Sequence, residues 1–314
     1  MPRTTRTIKI TAVLCLLAFN VLGQNVSTEN PATSRLQSLM DNYWSYRLAE
    51  SPTLATAAGM KDYNHLLPQV SPLDQSRRLR AERAFLLQLR EIGRTDLSAE
   101  NQINYDLLAW VLETSIESME LNTDRIPFNT FSSFFTGALR ASYGVSMTTE
   151  EDYRAYVARI REFPRYFAEN IDNMREGMRS GFVLPKVIID GVLPTVRAQV
   201  YDNPDNSSLF EPIAEVSDRL SAVVQEQIRV EAREAIRSYA IPAFRELAEF
   251  LQNEYYPMAT EGIAAQDLSN GDAFYAHQIK VYTTRTDLSA DQIHNIGLSE
   301  VARIHTEMEE VIAE

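Results

Sequence analysis

Cysteine is almost absent from this chain. Cys15 is the only one in 314 residues. Leu14 stands before it, where a lipoprotein signal needs a small residue, so Cys15 reads as one more small hydrophobe. Without it the chain has no thiol, which excludes disulfides, thiolate metal sites and a cysteine nucleophile. Long apolar runs are equally scarce. The apolar run over residues 10–23 contains no charge and is 14 residues long; crossing a bilayer takes roughly 20, so no stable membrane span is expected. Arg3, Arg6 and Lys9 precede the run, and Val21 and Gly23 occupy the −3 and −1 positions of a cut before Gln24. That is the layout of a secretory signal peptide, giving a signal over 1–23, a mature chain over 24–314, and an exported, periplasmic or secreted protein.

Histidine is the next shortage: His65, His277, His294 and His305 are all there are. A zinc peptidase needs two imidazoles one helical turn apart, a third ligand and a carboxylate base. No two of these four stand at i, i+4. His294 and His305 would share a helix face but lie about 16 Å apart along its axis, beyond the reach of Zn–N bonds of about 2 Å. A glycine-rich phosphate loop, a GxSxG elbow and an SxxK motif are also missing. Glu150-Glu151 and Glu309-Glu310 are neighbours, so on a helix they diverge and read as solvated faces. The residues therefore nominate no catalytic, cofactor-binding or metal-ligating position, and no cofactor.

What the chain has in excess is acid: 43 Asp and Glu against 30 Lys and Arg, a net charge of −13. Removing Arg3, Arg6 and Lys9 with the signal leaves 27 basic groups and takes this to −16. Such a surface repels phosphate backbones and anionic lipid, so nucleic acid is excluded as a partner.

Helical periodicity dominates, which predicts an all-α, multi-helix array with little or no sheet. Residues 34–50 carry Leu36, Leu39, Met40, Tyr43, Trp44, Arg47 and Leu48 on one stripe, stopped at Ser51-Pro52. A second helix opens at Ser71-Pro72 and runs to about Gly93. A third starts near Ser98 with Ile103, Leu107, Leu108, Val111, Leu112 and Ile116 as its apolar positions. Residues 126–138 break the rhythm with four phenylalanines among small polar residues; burial as a plug between helices is the expected fate. Helices resume at Thr148, where Thr148 to Glu151 spells a capping box. A broken helix with Gly191 and Pro194 follows, then a surface turn over 202–207. From about Phe210 to Tyr256 the pattern is helical, with Pro242 either kinking one helix or separating two. A connector over 259–271, a helix over 272–282 and a loop over 283–286 lead to the last helix. That helix opens on a second capping box, Ser289 with Gln292, and carries an apolar stripe through Ile293, Ile296, Val301, Ile304, Met308, Val311 and Ile312. Its final turns hold Glu307, Glu309, Glu310 and Glu314, carboxylates that oppose the helix dipole at about 0.3–1 kcal/mol each, and the ending reads as cut.

Three stretches carry a resemblance. GMRSGFVLPKVIIDGVLPTVRAQV over 177–200 and NGDAFYAHQIKVYTTRTDLSADQIHNIGLSEVARIHTEM over 270–308 resemble the bacterial domain-of-unknown-function 885 family. Ser51 to Thr56 with Gly59 is similar to that family's opening helices. The resemblance implies an exported, zincin-like metallopeptidase relative. Family members are nearly twice as long, with an HExxH-type zinc helix in the C-terminal half. This sequence matches the N-terminal portion, so no catalytic or metal residue transfers to any position here, and zinc is implied for the complete family alone. The expectation is a non-catalytic N-terminal half, inactive by itself, whose partners are a peptide substrate or a complementary C-terminal half. The alternative is a stand-alone envelope binding or scaffold module. Tyr255-Tyr256, Phe274-Tyr275 and Tyr282 could line one wall of a peptide groove, with helix packing the commoner use of such rings.

Overall fold

The structure, a computed structural model, describes residues 30–313. The signal segment and Cys15 lie outside the described residues. These fold as α-helices joined by short helical turns and loops; two isolated bridges, Phe128 with Ser133 and Pro185 with Thr260, are the sole strand-like pairings among them, and no sheet forms. The architecture is all-α.

Two cores organise the chain. The first joins α1 (Pro31–Glu50), α3 (Pro72–Arg90) and α4 (Ala99–Glu120). Leu36, Leu39 and Tyr43 meet Leu86 and Leu89 there, with Leu108, Leu112 and Ile116 closing the third side. Each of these helices starts on a side chain that accepts a backbone N–H: Asn30, Ser71 and Ser98. Ser51-Pro52 ends α1 as expected, but Pro52 also opens a short helix, α2 (Pro52–Ala57). On α4 the apolar positions do not form one stripe. Leu108, Leu112 and Ile116 are buried, while Ile103, Leu107 and Val111 sit at i, i+4, i+8 on the solvent side.

The second, larger core takes in α5 (Phe134–Leu139), α6 (Glu150–Arg161), α7 (Phe163–Ser180), α8 (Lys186–Arg197), α9 (Glu211–Ala214), α10 (Ala222–Ala235) and α11 (Ile241–Phe250). Aromatic rings fill its middle: Phe167 and Phe244 pack edge to face at 4.9 Å. Truncating either ring would cost about 3–5 kcal/mol. The capping box of α6 falls one residue later than expected, on Thr149 and Asp152. The shorter Asp side chain reaches back to the Thr149 N–H at 3.0 Å. From 222 to 258 the helical path is unbroken, so Pro242 separates nothing. It sits in the first turn of α11, and the wider five-residue turn just before it, Ile236–Ala240, absorbs the missing N–H. A second such turn, Leu251–Tyr255, follows α11. Gly191 and Pro194 likewise leave α8 intact.

The aromatic stretch divides. Phe128, Phe134 and Phe135 are buried plugs. Phe131 stands fully exposed at a loop tip, where Asn129 Oδ1 accepts from the Phe131 and Ser132 amides at 2.8 Å each.

Beyond the second core the chain changes character. Asn270 (φ 61°) and Thr284 (φ 56°) hold left-handed backbone at the two ends of α12 (Gly271–Thr283), a conformation that costs roughly 1–2 kcal/mol per non-glycine residue. Then comes α13 (Ala290–Ala313), in which no residue is buried. Its capping box is formed as expected: Ser289 N donates to Gln292 Oε1 at 2.8 Å and Gln292 N to Ser289 Oγ at 3.2 Å.

Candidate functional site

The four histidines are scattered by the fold. His65 is exposed on the irregular segment between α2 and α3, and His294 and His305 lie on the open surface of α13, His305 with Glu309 at 3.3 Å. His277 alone is buried, at 3% exposure on α12. Among the described residues no group of three or more His, Cys, Asp or Glu side chains could hold a metal ion.

Around His277 a polar latch fastens α12 to α4. Lys280 Nζ donates to Glu117 Oε2 at 2.8 Å and lies 5.5 Å above the Trp110 ring. His277 Nδ1 is 3.2 Å from the same oxygen, close enough for an ion pair but misaligned for a hydrogen bond, so it is a buried nitrogen without a partner. Burial raises the Glu117 carboxyl, but the Lys280 and His277 contacts outweigh it and hold the group below its ordinary range.

This latch borders a groove of about 840 Å³ between α12, the 263–266 loop and the start of α13. Ile263, Tyr275, Ile279 and Leu288 give it apolar walls, with Lys280 and Arg285 at the edge. The tyrosines near it are split in use. Tyr255 is buried and accepts the Leu184 N–H at 2.8 Å, whereas Tyr275 and Tyr282 are largely exposed. Helix packing thus accounts for the first; Tyr275 lines the groove, and Tyr282 is exposed but not part of its lining.

A second groove, of about 790 Å³, opens between α2, the 67–68 turn, α5 and α7. Its lining includes Leu67, Pro68, Phe134 and Tyr166, with Thr53, Tyr143 and Arg140 as polar residues; no acidic residue lines it. Behind it is Arg159, 1% exposed. Its Nη1 donates to Ala141 O at 2.9 Å and its Nη2 to Thr56 Oγ1 at 2.5 Å and Tyr63 O at 2.8 Å. No carboxylate faces it, and burial pulls its pKa down to about 10. The sequence pointed to neither Arg140 nor Arg159. A signal for Arg159 did exist: it follows Asp152, Tyr153 and Tyr156 on the buried face of α6 at helical spacing.

A family model of bacterial proteins of unknown function, DUF885, matches residues 52–314. No curated protein matches the chain. A crystal structure of a "putative lipoprotein from Colwellia psychrerythraea" shares the fold, with a TM-score of 0.75 and 18% identity over 89% of this chain and 50% of that one. The chain therefore spans about half the length of that solved relative. No described helix is long and apolar enough to cross a membrane.

Proposed function

Because the chain belongs to the DUF885 family, we propose that it is exported and serves as the non-catalytic, N-terminal scaffold of a zinc-dependent, peptidase-like protein. On this reading the metal and its ligands come from a complementary C-terminal half, and the chain hydrolyses nothing alone. The groove beside α12 supplies one wall of the peptide site. The observation that carries the reading is α13. Its stripe Ile296, Val301, Ile304, Met308, Val311 and Ile312 is 46–79% exposed, although an apolar stripe at helical spacing is the mark of a packed face. The outer face of α4, with Ile103, Leu107 and Val111, is a second uncovered apolar surface.

The test is complementation. The purified mature chain is mixed with a C-terminal-half polypeptide of the family in the presence of zinc, and hydrolysis of a quenched fluorescent peptide is followed. Turnover is expected in the mixture alone. Zinc-dependent turnover by this chain without the second polypeptide defeats the proposal.

One observation favours a second reading, a stand-alone envelope binding module. Both cores close without any residue of α13, so the body is built to fold independently of whatever covers that helix. A monomer that binds peptide and ignores the second polypeptide would support this alternative.

A further inference from the structure

The groove between α2, α5 and α7 carries an inference that does not depend on a second half. The chain as a whole is acidic, with 43 carboxylates against 30 basic groups, yet none of the residues lining this groove is acidic. Arg140 lines it, and its guanidinium makes no ion pair or side-chain hydrogen bond among the described residues. The partners of buried Arg159 adjoin the lining residues: Thr56 precedes Ala57, and Ala141 follows Arg140. A cation without a carboxylate partner thus lies directly behind the wall, where low dielectric lets its field reach the groove.

The wall itself is preorganised. Residues 63–70 have almost no regular structure of their own, and side chains of α6 and α7 take up their backbone groups. Arg165 Nη2 donates to Leu67 O and its Nη1 to Pro68 O, both at 3.1 Å. Glu169 accepts the Val70 N–H at 2.7 Å, and Asn173 donates to Val70 O at 2.6 Å. Leu67 and Pro68 are therefore fixed as an apolar surface before any ligand arrives.

We propose that this groove binds the C-terminal end of a peptide whose last residue is apolar, with Arg140 taking the carboxylate. One accessible guanidinium matches one carboxylate in a two-bond fork, whereas phosphate-bearing ligands call for clustered arginines. Leu67, Pro68 and Phe134 receive the terminal side chain. The Thr53 and Tyr143 hydroxyls, which have no protein hydrogen bond among the described residues, are placed to serve the peptide amides; a plain alkyl acid would leave them idle. The volume suits a few residues of extended chain.

Calorimetric titration of the mature chain with N-acetyl-Ala-Ala-Leu, its C-terminal amide and octanoate tests the proposal, without zinc and without turnover. The free acid is expected to bind saturably, and the amide about tenfold or more weaker, the worth of a charge-assisted hydrogen bond. Added salt should weaken the acid and leave the amide unchanged. Arg140→Gln should bring the acid down to the level of the amide. Gly137→Leu should abolish both, because a Cβ at Gly137 meets no atom within 4 Å and a larger side chain projects from α5 into the groove. Neither change touches a packed contact, so both variants should melt with wild type; if either does not, the salt dependence on wild type decides. No saturable binding of the acid overturns the proposal, as does binding that both variants leave unchanged. Octanoate binding as tightly as the peptide overturns it in favour of an alkyl-acid site. None of these results bears on whether a second half supplies zinc.

Discussion

Arg159 Nη2 donates to the Tyr63 carbonyl at 2.8 Å across 96 residues of sequence. This bond, with those from Arg165 and Asn173, fixes an irregular segment by side chains of α6 and α7 rather than by helix or sheet. The segment contributes Leu67 and Pro68 to the wall of the 790 Å³ groove, so its anchoring fixes that wall against the second core.

Replacing Arg159 tests that anchoring. Methionine keeps an unbranched stem but removes every donor, leaving Ala141 O without a partner, at about 1–3 kcal/mol, and Tyr63 O with the Leu66 N–H alone. Arg159→Met should lower the stability by about 1–3 kcal/mol in urea unfolding. Arg161→Met, on the exposed side of the same helix, should change it by less than about 0.5 kcal/mol. Equal effects would mean that Arg159 is no anchor.

Asp152 gives a pH prediction. It is 3% exposed, and burial on its own would raise it. Lys61 Nζ at 2.8 Å and the Thr148 and Thr149 N–H groups prevail and hold it far below the usual carboxylate range. A depressed folded pKa means that the stabilisation is present above the unfolded value, about 3.9, and is lost as pH falls below it. Asp152→Asn should therefore melt earlier than wild type at pH 7, by roughly 1–3 kcal/mol. The gap should narrow as pH falls below about 4, and a gap independent of pH would refute the assignment.

How much of this was legible beforehand depended on the range of each interaction. The Ser289–Gln292 box was readable because both partners lie within one turn. At Thr149 the reading slipped one residue, since Thr148 and Thr149 are equally good caps and only geometry chooses Asp152 over Glu151. Phenylalanine content announced burial at 126–138 but not that Asn129 would turn the loop so that Phe131 faces water. The apolar residues of α4 were visible and their two faces were not, because which face is covered depends on α1 and α3. The helical spacing of α6 marks Arg159 as inward-facing, but not what it binds, because its acceptors come from three separate segments that no local pattern encodes.

Glu82 should show the opposite pH behaviour to Asp152. It is 4% exposed on α3, its Oε2 has no partner, and Arg47 approaches only to 4.0 Å. Burial raises its pKa, with Ser115, Arg47 and Arg78 opposing and Glu50 reinforcing the shift. A raised folded pKa means that its contribution is present below the ordinary glutamate range and is lost as pH rises through the shifted value. Glu82→Gln should consequently melt above wild type at pH 8 and no higher than wild type at pH 4. A lower melting temperature at pH 8 would show that the Arg47 pair outweighs desolvation.

The apolar stripe of α13 makes the last prediction, and it separates an uncovered face from a packed one. A buried Ile or Met contributes about 1.5–3 kcal/mol through burial, and a charge in its place costs more because it is stranded without a partner. Ile304 and Met308 are 46% and 58% exposed and one turn apart. If nothing covers them, Ile304→Glu with Met308→Glu should leave urea unfolding of the body within about 0.5 kcal/mol of wild type. The wild-type chain should bind a hydrophobic dye and self-associate as its concentration rises, and the double variant should do both markedly less. A loss of several kcal/mol in the variant would instead mean that α13 folds back onto the body in solution, and the stripe would then have an internal partner rather than an external one.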